Sequence, residues 1–253
     1  MRQGERDALP TERDNPLTRD LDALGAEDAV ARLIAVDADV QTAIEAAAPA
    51  IAAAVRLVSD RLAAGGRLVY VGAGTSGRLG VLDAVECPPT FRSAPEQVQA
   101  ILAGGDAALL AAVEGAEDDA HGADAELRRR GVGSNDVVFG IAAGGTTPFV
   151  HGALRTARAL GAATVMFACV PFEQVPDEAD VSIRVVAGPE AGAGSTRLKA
   201  GTATKRVLNM ISTLAMARLG KVHGNLMVDV DTRANAKLVE RGVSLVARIA
   251  SVE

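Results

Sequence analysis

An apolar run that stops at glycines and paired hydroxyls constrains this chain more than any other feature. Leu68-Val69-Tyr70-Val71 leads straight into Gly72-Ala73-Gly74-Thr75-Ser76-Gly77 and then into a helical pattern. A strand that ends this way leaves the first backbone N–H groups of the helix without a partner in the chain. Those donors, the Thr75 and Ser76 hydroxyls and the positive end of the helix dipole suit an anion, most simply a phosphate. Similar glycine-hydroxyl segments return at Ala142-Ala143-Gly144-Gly145-Thr146-Thr147-Pro148 and at Gly192-Ala193-Gly194-Ser195-Thr196-Arg197.

The organisation around these loops is an alternation. Strand-like runs stand at Leu68–Val71, Val98–Leu102, Val137–Ile141, Thr164–Ala168 and Val181–Val186. Helical patterns separate most of them: Arg78–Val85, Ala107–Arg130 with a break near Gly115, and Pro148–Leu160. Strands apolar throughout argue a parallel sheet covered on both faces. The expected fold is therefore α/β, a parallel five-stranded sheet flanked by helices in the doubly wound, flavodoxin-like manner. Helical additions are expected at both ends: two or three helices over Asp22–Gly65, then Arg197–Leu219 and Asn235–Ile249. Residues 1–21 read as a flexible, charged arm and residues 22–253 as one domain. In such sheets ligands bind beyond the carboxyl ends of the strands, so the three loops should converge on one edge.

Composition removes several functions. Hydrophobic residues make up 49% of the chain but aromatics only 2%, so the core rests on Ala, Val, Leu and Ile. A net charge of -6, one Tyr and no Trp offer neither a basic footprint nor a stacking platform for nucleic acid. Two cysteines, Cys87 and Cys169, make no disulfide framework and fit a reducing, cytoplasmic location. Met1–Pro16 has no apolar signal region, and Ala43–Val58, interrupted by Glu45, Pro49 and Arg56, reads as a packed helix and not a membrane span. His121, His151 and His223 are scattered, so no metal site is expected.

Two carboxylates stand out. Glu86 lies in Glu86-Cys87-Pro88-Pro89-Thr90, expected to be a stiff loop after the first helix. Glu117 lies in Val113-Glu114-Gly115-Ala116-Glu117-Asp118-Asp119. Each has a bland reading, as a solvated glutamate or an acidic helix start. The first loop also matches the dinucleotide fingerprint, but no acidic residue ends the second strand to hold a ribose. Arg197, Lys199 and Lys205 open the long helix, where cations oppose the dipole, which suggests that one or two of them face a ligand.

At larger scale the strings GAGTSGRLGVLDAVECPPTF, AGGDAALLAAVEGAEDD, GSTRLKAGTATKRVLNMIST and GNLMVDV resemble the N-acetylmuramic acid 6-phosphate etherase family. That family has the sugar isomerase (SIS) fold and is related to the glucokinase regulatory protein. The resemblance runs from about Thr11 to Leu245. It implies a sugar 6-phosphate substrate and loss of D-lactate from the 3-ether, with no cofactor and no metal. It also implies Glu86 as proton donor and Glu117 as the other acid/base residue. Gly74, Thr75, Ser76, Gly77, Gly145, Thr146, Thr147, Glu190, Ser195, Thr196, Arg197 and Lys199 are then expected on the substrate. The chain departs from the family at Gly144 and Thr146, where Ser and Arg are usual, and at Val170, where Asn is usual. It stops at Glu253, where relatives continue into a small helical domain, so that domain is expected to be absent. A homodimer is implied, with one chain expected to supply both glutamates of a pocket. Two other readings remain open: a non-catalytic sugar-phosphate sensor and an aldose–ketose phosphosugar isomerase.

Overall fold

A computed structural model describes residues 7–229 and 236–250. The chain runs α1 (Ala26–Ala63), β1 (Leu68–Gly72), α2 (Gly74–Phe91), β2 (Val98–Leu102), α3 (Ala107–Leu110), α4 (Asp124–Arg129), β3 (Val137–Ile141), α5 (Pro148–Ala159), β4 (Ala163–Ala168), β5 (Val181–Arg184) and α6 (Lys199–Met216). A short hairpin, β6 (Val222–His223) and β7 (Leu226–Met227), and α7 (Ala236–Ala250) follow.

Strands β1 to β5 form one parallel sheet in the order β2-β1-β3-β4-β5. Every residue of β1, β3 and β4 is buried, as strands covered on both faces require. One apolar layer joins the sheet to α1, α2 and α6, and the other joins it to α4 and α5. Gly72 pairs with Leu102 on one side and Ile141 on the other, so the three strands end level. Connections diverge between β1 and β3, which places the switch point where the first and second loops leave the sheet.

A buried polar link fixes this frame. Tyr70 of β1 sits edge-on to Phe139, with ring centroids 5.5 Å apart. Its hydroxyl donates to Asp83 of α2 at 2.8 Å, and Ser212 of α6 donates to the same carboxylate at 3.1 Å. Burial holds the Asp83 carboxyl above its ordinary value, and the two donated bonds oppose that rise.

Several boundaries differ from those read in the sequence, each for a local reason. Asp22–Gly65 holds one 38-residue helix and not two or three, with Pro49 inside it. Its stripe of Val36, Val40, Ala43, Ile44, Ala47, Ile51, Ala54, Val55, Val58 and Leu62 is buried at three- and four-residue spacing, while Pro49 faces outward. Burial along the stripe offsets the bond that proline removes. Helix α2 likewise runs through Pro88 and Pro89 and stops only at Phe91, where Arg92 turns left-handed at φ 52° and donates to Pro88 O at 2.8 Å. Ala107–Arg130 is broken into α3, a 3-10 turn at Ala116–Asp118 and α4, with Gly115 at φ 74° starting the turn. Residues 7–21 of the expected flexible arm are ordered by prolines into 3-10 turns at Pro10–Glu12 and Pro16–Thr18, and residues 1–6 lie outside the described residues.

Candidate active site

The first loop is built by backbone meeting backbone. A Cβ on Gly77 would stand 2.5 Å from Gly72 O and 2.4 Å from Leu102 Cδ1, and one on Gly72 would stand 2.7 Å from Gly77 N. Only glycines allow so sharp a turn from β1 into α2. Gly74 at φ 52° carries the turn itself. No side chain caps α2, so the N–H groups of its first turn remain for a ligand, beside the half-buried Thr75 and Ser76. Helix α5 is also uncapped by a side chain, but Pro148 at its start removes one donor. Gly145 precedes it at φ 73°, with His151 Nε2 2.6 Å from Gly145 O and Thr146 and Thr147 half-buried.

Helix α6 starts differently. Glu190, 1% exposed, accepts from Lys199 N at 2.7 Å and Ala200 N at 3.0 Å. Burial holds its carboxyl above the ordinary value despite those two donors. Lys199, also 1% exposed, reaches Asp39 Oδ2 of α1 at 2.8 Å and Pro189 O at 3.1 Å. The sequence places both residues on the substrate; in the structure both have their partners inside the protein. Lys199 is thus a buried ammonium paired with a carboxylate, Asp39, that is itself exposed at the surface. Ser195 and Thr196 are half-buried and Arg197 is exposed at the mouth of the segment. The first turn of α6 lies against the first loop: a Cβ on Gly201 would lie 3.8 Å from Thr75 Cγ2.

The two glutamates separate. Glu117 sits in the 3-10 turn after Gly115 and lines a pocket of about 170 Å³ with Glu114, Ala73, Gly74 and Arg78. Arg78 pins the far wall by donating to Ala108 O at 2.9 Å and Ala111 O at 3.0 Å. Glu86 is not on that wall. It belongs to α2 and is exposed, 12 residues beyond Gly74, a rise of about 18 Å along the helix axis. Its neighbours Leu82 and Val85 are 40% and 58% exposed. Cys87, beside it, is buried and its thiol is pushed up to about 12, chiefly by desolvation, which disfavours the thiolate. A larger cavity of about 820 Å³ follows the free edge of β2 past Val85, Gln99, Glu126 and Phe149, but none of the three glycine-hydroxyl loops borders it.

Residues 50–158 match the glucokinase regulatory protein N-terminal SIS domain. Over 249 residues the chain is 57% identical to an N-acetylmuramic acid 6-phosphate etherase of Gloeobacter violaceus, covering 98% of this chain and 81% of that one. The chain belongs to the N-acetylmuramic acid 6-phosphate etherase family. A second etherase, from Synechocystis, is 56% identical over 242 residues, with 95% of this chain and 79% of that one covered. Solved structures share the fold at low identity. A phosphoheptose isomerase from Neisseria gonorrhoeae aligns at TM-score 0.52 and 17% identity over 77% of this chain and 98% of that one. An Escherichia coli protein, solved as a ligand complex, aligns at 0.56 and 16% over 80% and 97%.

Within this etherase fold the residues that sequence reasoning missed are those joining distant segments. Asp39 meets Lys199 across 160 positions, and Asn15 Nδ2 donates to Pro189 O across 174 at 3.3 Å. Nothing local marks either pair. Among the described residues no group of three or more His, Cys, Asp or Glu side chains stands together to hold a metal ion.

Proposed function

We propose that this chain is a lyase that cleaves the D-lactyl ether of N-acetylmuramic acid 6-phosphate, giving N-acetylglucosamine 6-phosphate and D-lactate, in recycling of cell-wall amino sugars. Identity of 57% to an etherase across 81% of that enzyme carries the reading. The geometry supplies a matching site: an uncapped helix start with Thr75 and Ser76 for the phosphate, and a carboxylate, Glu117, beside it. Thr146, Thr147, Ser195, Thr196 and Arg197 complete the anion side.

The chemistry follows from the open-chain aldehyde, which acidifies the C2 proton. A carboxylate takes that proton, the C2–C3 double bond forms, and the C3–O bond breaks as a carboxylic acid protonates the departing lactate oxygen. Water then adds its hydroxyl to C3 and a proton to C2. Proton transfers of this kind each contribute on the order of 10²–10⁴ in rate. The two groups act on adjacent carbons, so both carboxyls must come within hydrogen-bonding reach of one short segment of sugar.

That requirement supports a reading of how the chains assemble. A helix rise of about 18 Å keeps Glu86 from the Gly74 end of its own helix. We therefore place Glu86 in the pocket of a second copy, with exposed Leu82 and Val85 seated in the contact. The 170 Å³ pocket is smaller than ligand sites of about 300–1,000 Å³ usually are, in keeping with walls lent by another chain. This proposed homodimer departs from the expectation that one chain supplies both glutamates. We place the enzyme in the cytoplasm, where its two free cysteines stay reduced.

Purified protein is expected to release D-lactate from the substrate, and a folded sample that binds the sugar phosphate without releasing lactate would select the sensor reading instead. Glu86→Gln and Glu117→Gln are each expected to be inactive alone and to regain activity when mixed as heterodimers. No rescue, with heterodimers verified by mass, would return both glutamates to one chain.

A further inference from the structure

We propose that the N-terminal turn Pro10–Glu12, with Asn15, is a strap that positions the third loop of the site, and that Asn15 and Glu12 are positioning residues for substrate binding. The inference rests on the etherase reading only for its kinetic readout. Leu9, 2% exposed, anchors the strap in the core layer that contains Val170 and Val175. From that anchor the chain crosses the segment 189–194 and is bonded at both of its ends. Gly194 N donates to Thr11 O at 3.0 Å, and Asn15 Nδ2 donates to Pro189 O at 3.3 Å. Glu12 Oε2 lies 3.1 Å from where a side chain on Gly194 would begin, and Gly194 holds φ 73°, a left-handed conformation that glycine favours.

What the strap holds is the scaffold of the third loop. Pro189 O takes the Asn15 amide and the Lys199 ammonium together. Glu190, the next residue, accepts the first two N–H groups of α6. Gly194 at φ 73° hands the chain on to Ser195 and Thr196. A shift of the strap is therefore passed through Ser195 and Thr196 to the start of α6, which lies against Thr75, without touching the reacting atoms. The Thr11 hydroxyl is buried with no hydrogen-bond partner among the described residues, a cost retained at a position whose main chain does the holding.

The test is Asn15→Asp, which keeps the acceptor that takes Leu17 N at 3.0 Å and removes only the donor to Pro189 O. In amide hydrogen exchange, Gly194 to Leu198 are expected to exchange about tenfold faster than in the parent chain, with other amides unmoved. In kinetics, KM is expected to rise about tenfold with kcat held within about threefold. Arg13→Ala, whose Nε bonds only back to Ala8 O, serves as the control and leaves both readouts unchanged. Unchanged exchange at Gly194, or a lowered melting temperature with parental KM, would overturn the strap. Absence of lactate release in the parent chain would instead overturn the etherase reading, and the exchange result would still decide the strap.

Discussion

Helices α2 and α6 begin with the same kind of sequence and end up as opposites. Each follows glycines and adjacent hydroxyls at the carboxyl edge of one sheet. The start of α2 is made by backbone contact between Gly72 and Gly77 and has no side-chain cap. The start of α6 is filled by the carboxylate of Glu190. A glycine-hydroxyl loop therefore promises free donors only where nothing distant folds back to take them. The anion field of the first helix is available to a ligand; that of the second is used to hold the protein together.

The sharpest way to break this contrast is to destroy the bare turn. Gly77→Val would force a side chain into Gly72 O and Leu102, and is expected to cost about 4 kcal/mol or more of stability in denaturant unfolding, or to prevent folding. Next comes Glu190→Ala, which leaves two buried N–H groups without an acceptor, a loss of about 2–4 kcal/mol. If α6 were a ligand site, this variant would change KM before it changed stability; the expected order is the reverse. Ser76→Ala acts on the other helix and should raise KM about tenfold with kcat nearly constant, about 1.4 kcal/mol of uniform binding.

Acid titration sharpens the same comparison with smaller effects of opposite sign. Burial holds Glu190 above its ordinary value, so the folded chain binds the extra proton. The stability it contributes is full below the ordinary glutamate value and falls as pH rises through the raised one, a slope that Glu190→Gln should abolish. Glu126 is the converse: hydrogen bonds from Arg129 and Arg130 lower its carboxyl to about 2. Its contribution is present above the ordinary value and is lost as pH falls toward about 2. Being partly exposed, it is worth only about 0.5 kcal/mol, so Glu126→Gln should shift the melt by little at neutral pH and by nothing near pH 2.

The sheet was legible because its evidence is local. The apolar runs at 98–102 and 137–141 match β2 and β3 residue for residue, and the glycine loops fell where parallel strands end. The site was legible in its parts and not in their assembly. Proline rules pointed to a loop at Glu86, yet α2 continues through Pro88 and Pro89, and those extra residues move the carboxylate into a helix side. Glu190 and Lys199 carry the right chemistry for a ligand, but the partner of Lys199, Asp39, sits on a segment that only the tertiary fold brings near.

The long first helix has a consequence in time. Its buried stripe faces α6 and β5, which are made from residues 181–216, so the first helix to leave the ribosome must wait for nearly the last part of the sheet layer. Lys199 stands 136 positions after Ala63, which at about 5–20 residues per second is a delay of roughly 7–27 seconds. Until then Val36, Val40, Ile44, Ile51, Val55, Val58 and Leu62 lack the α6 and β5 partners that complete their burial in the folded chain. A nascent chain of this shape presents a holdase chaperone with one continuous apolar handle, and its yield should depend on how fast translation closes the gap.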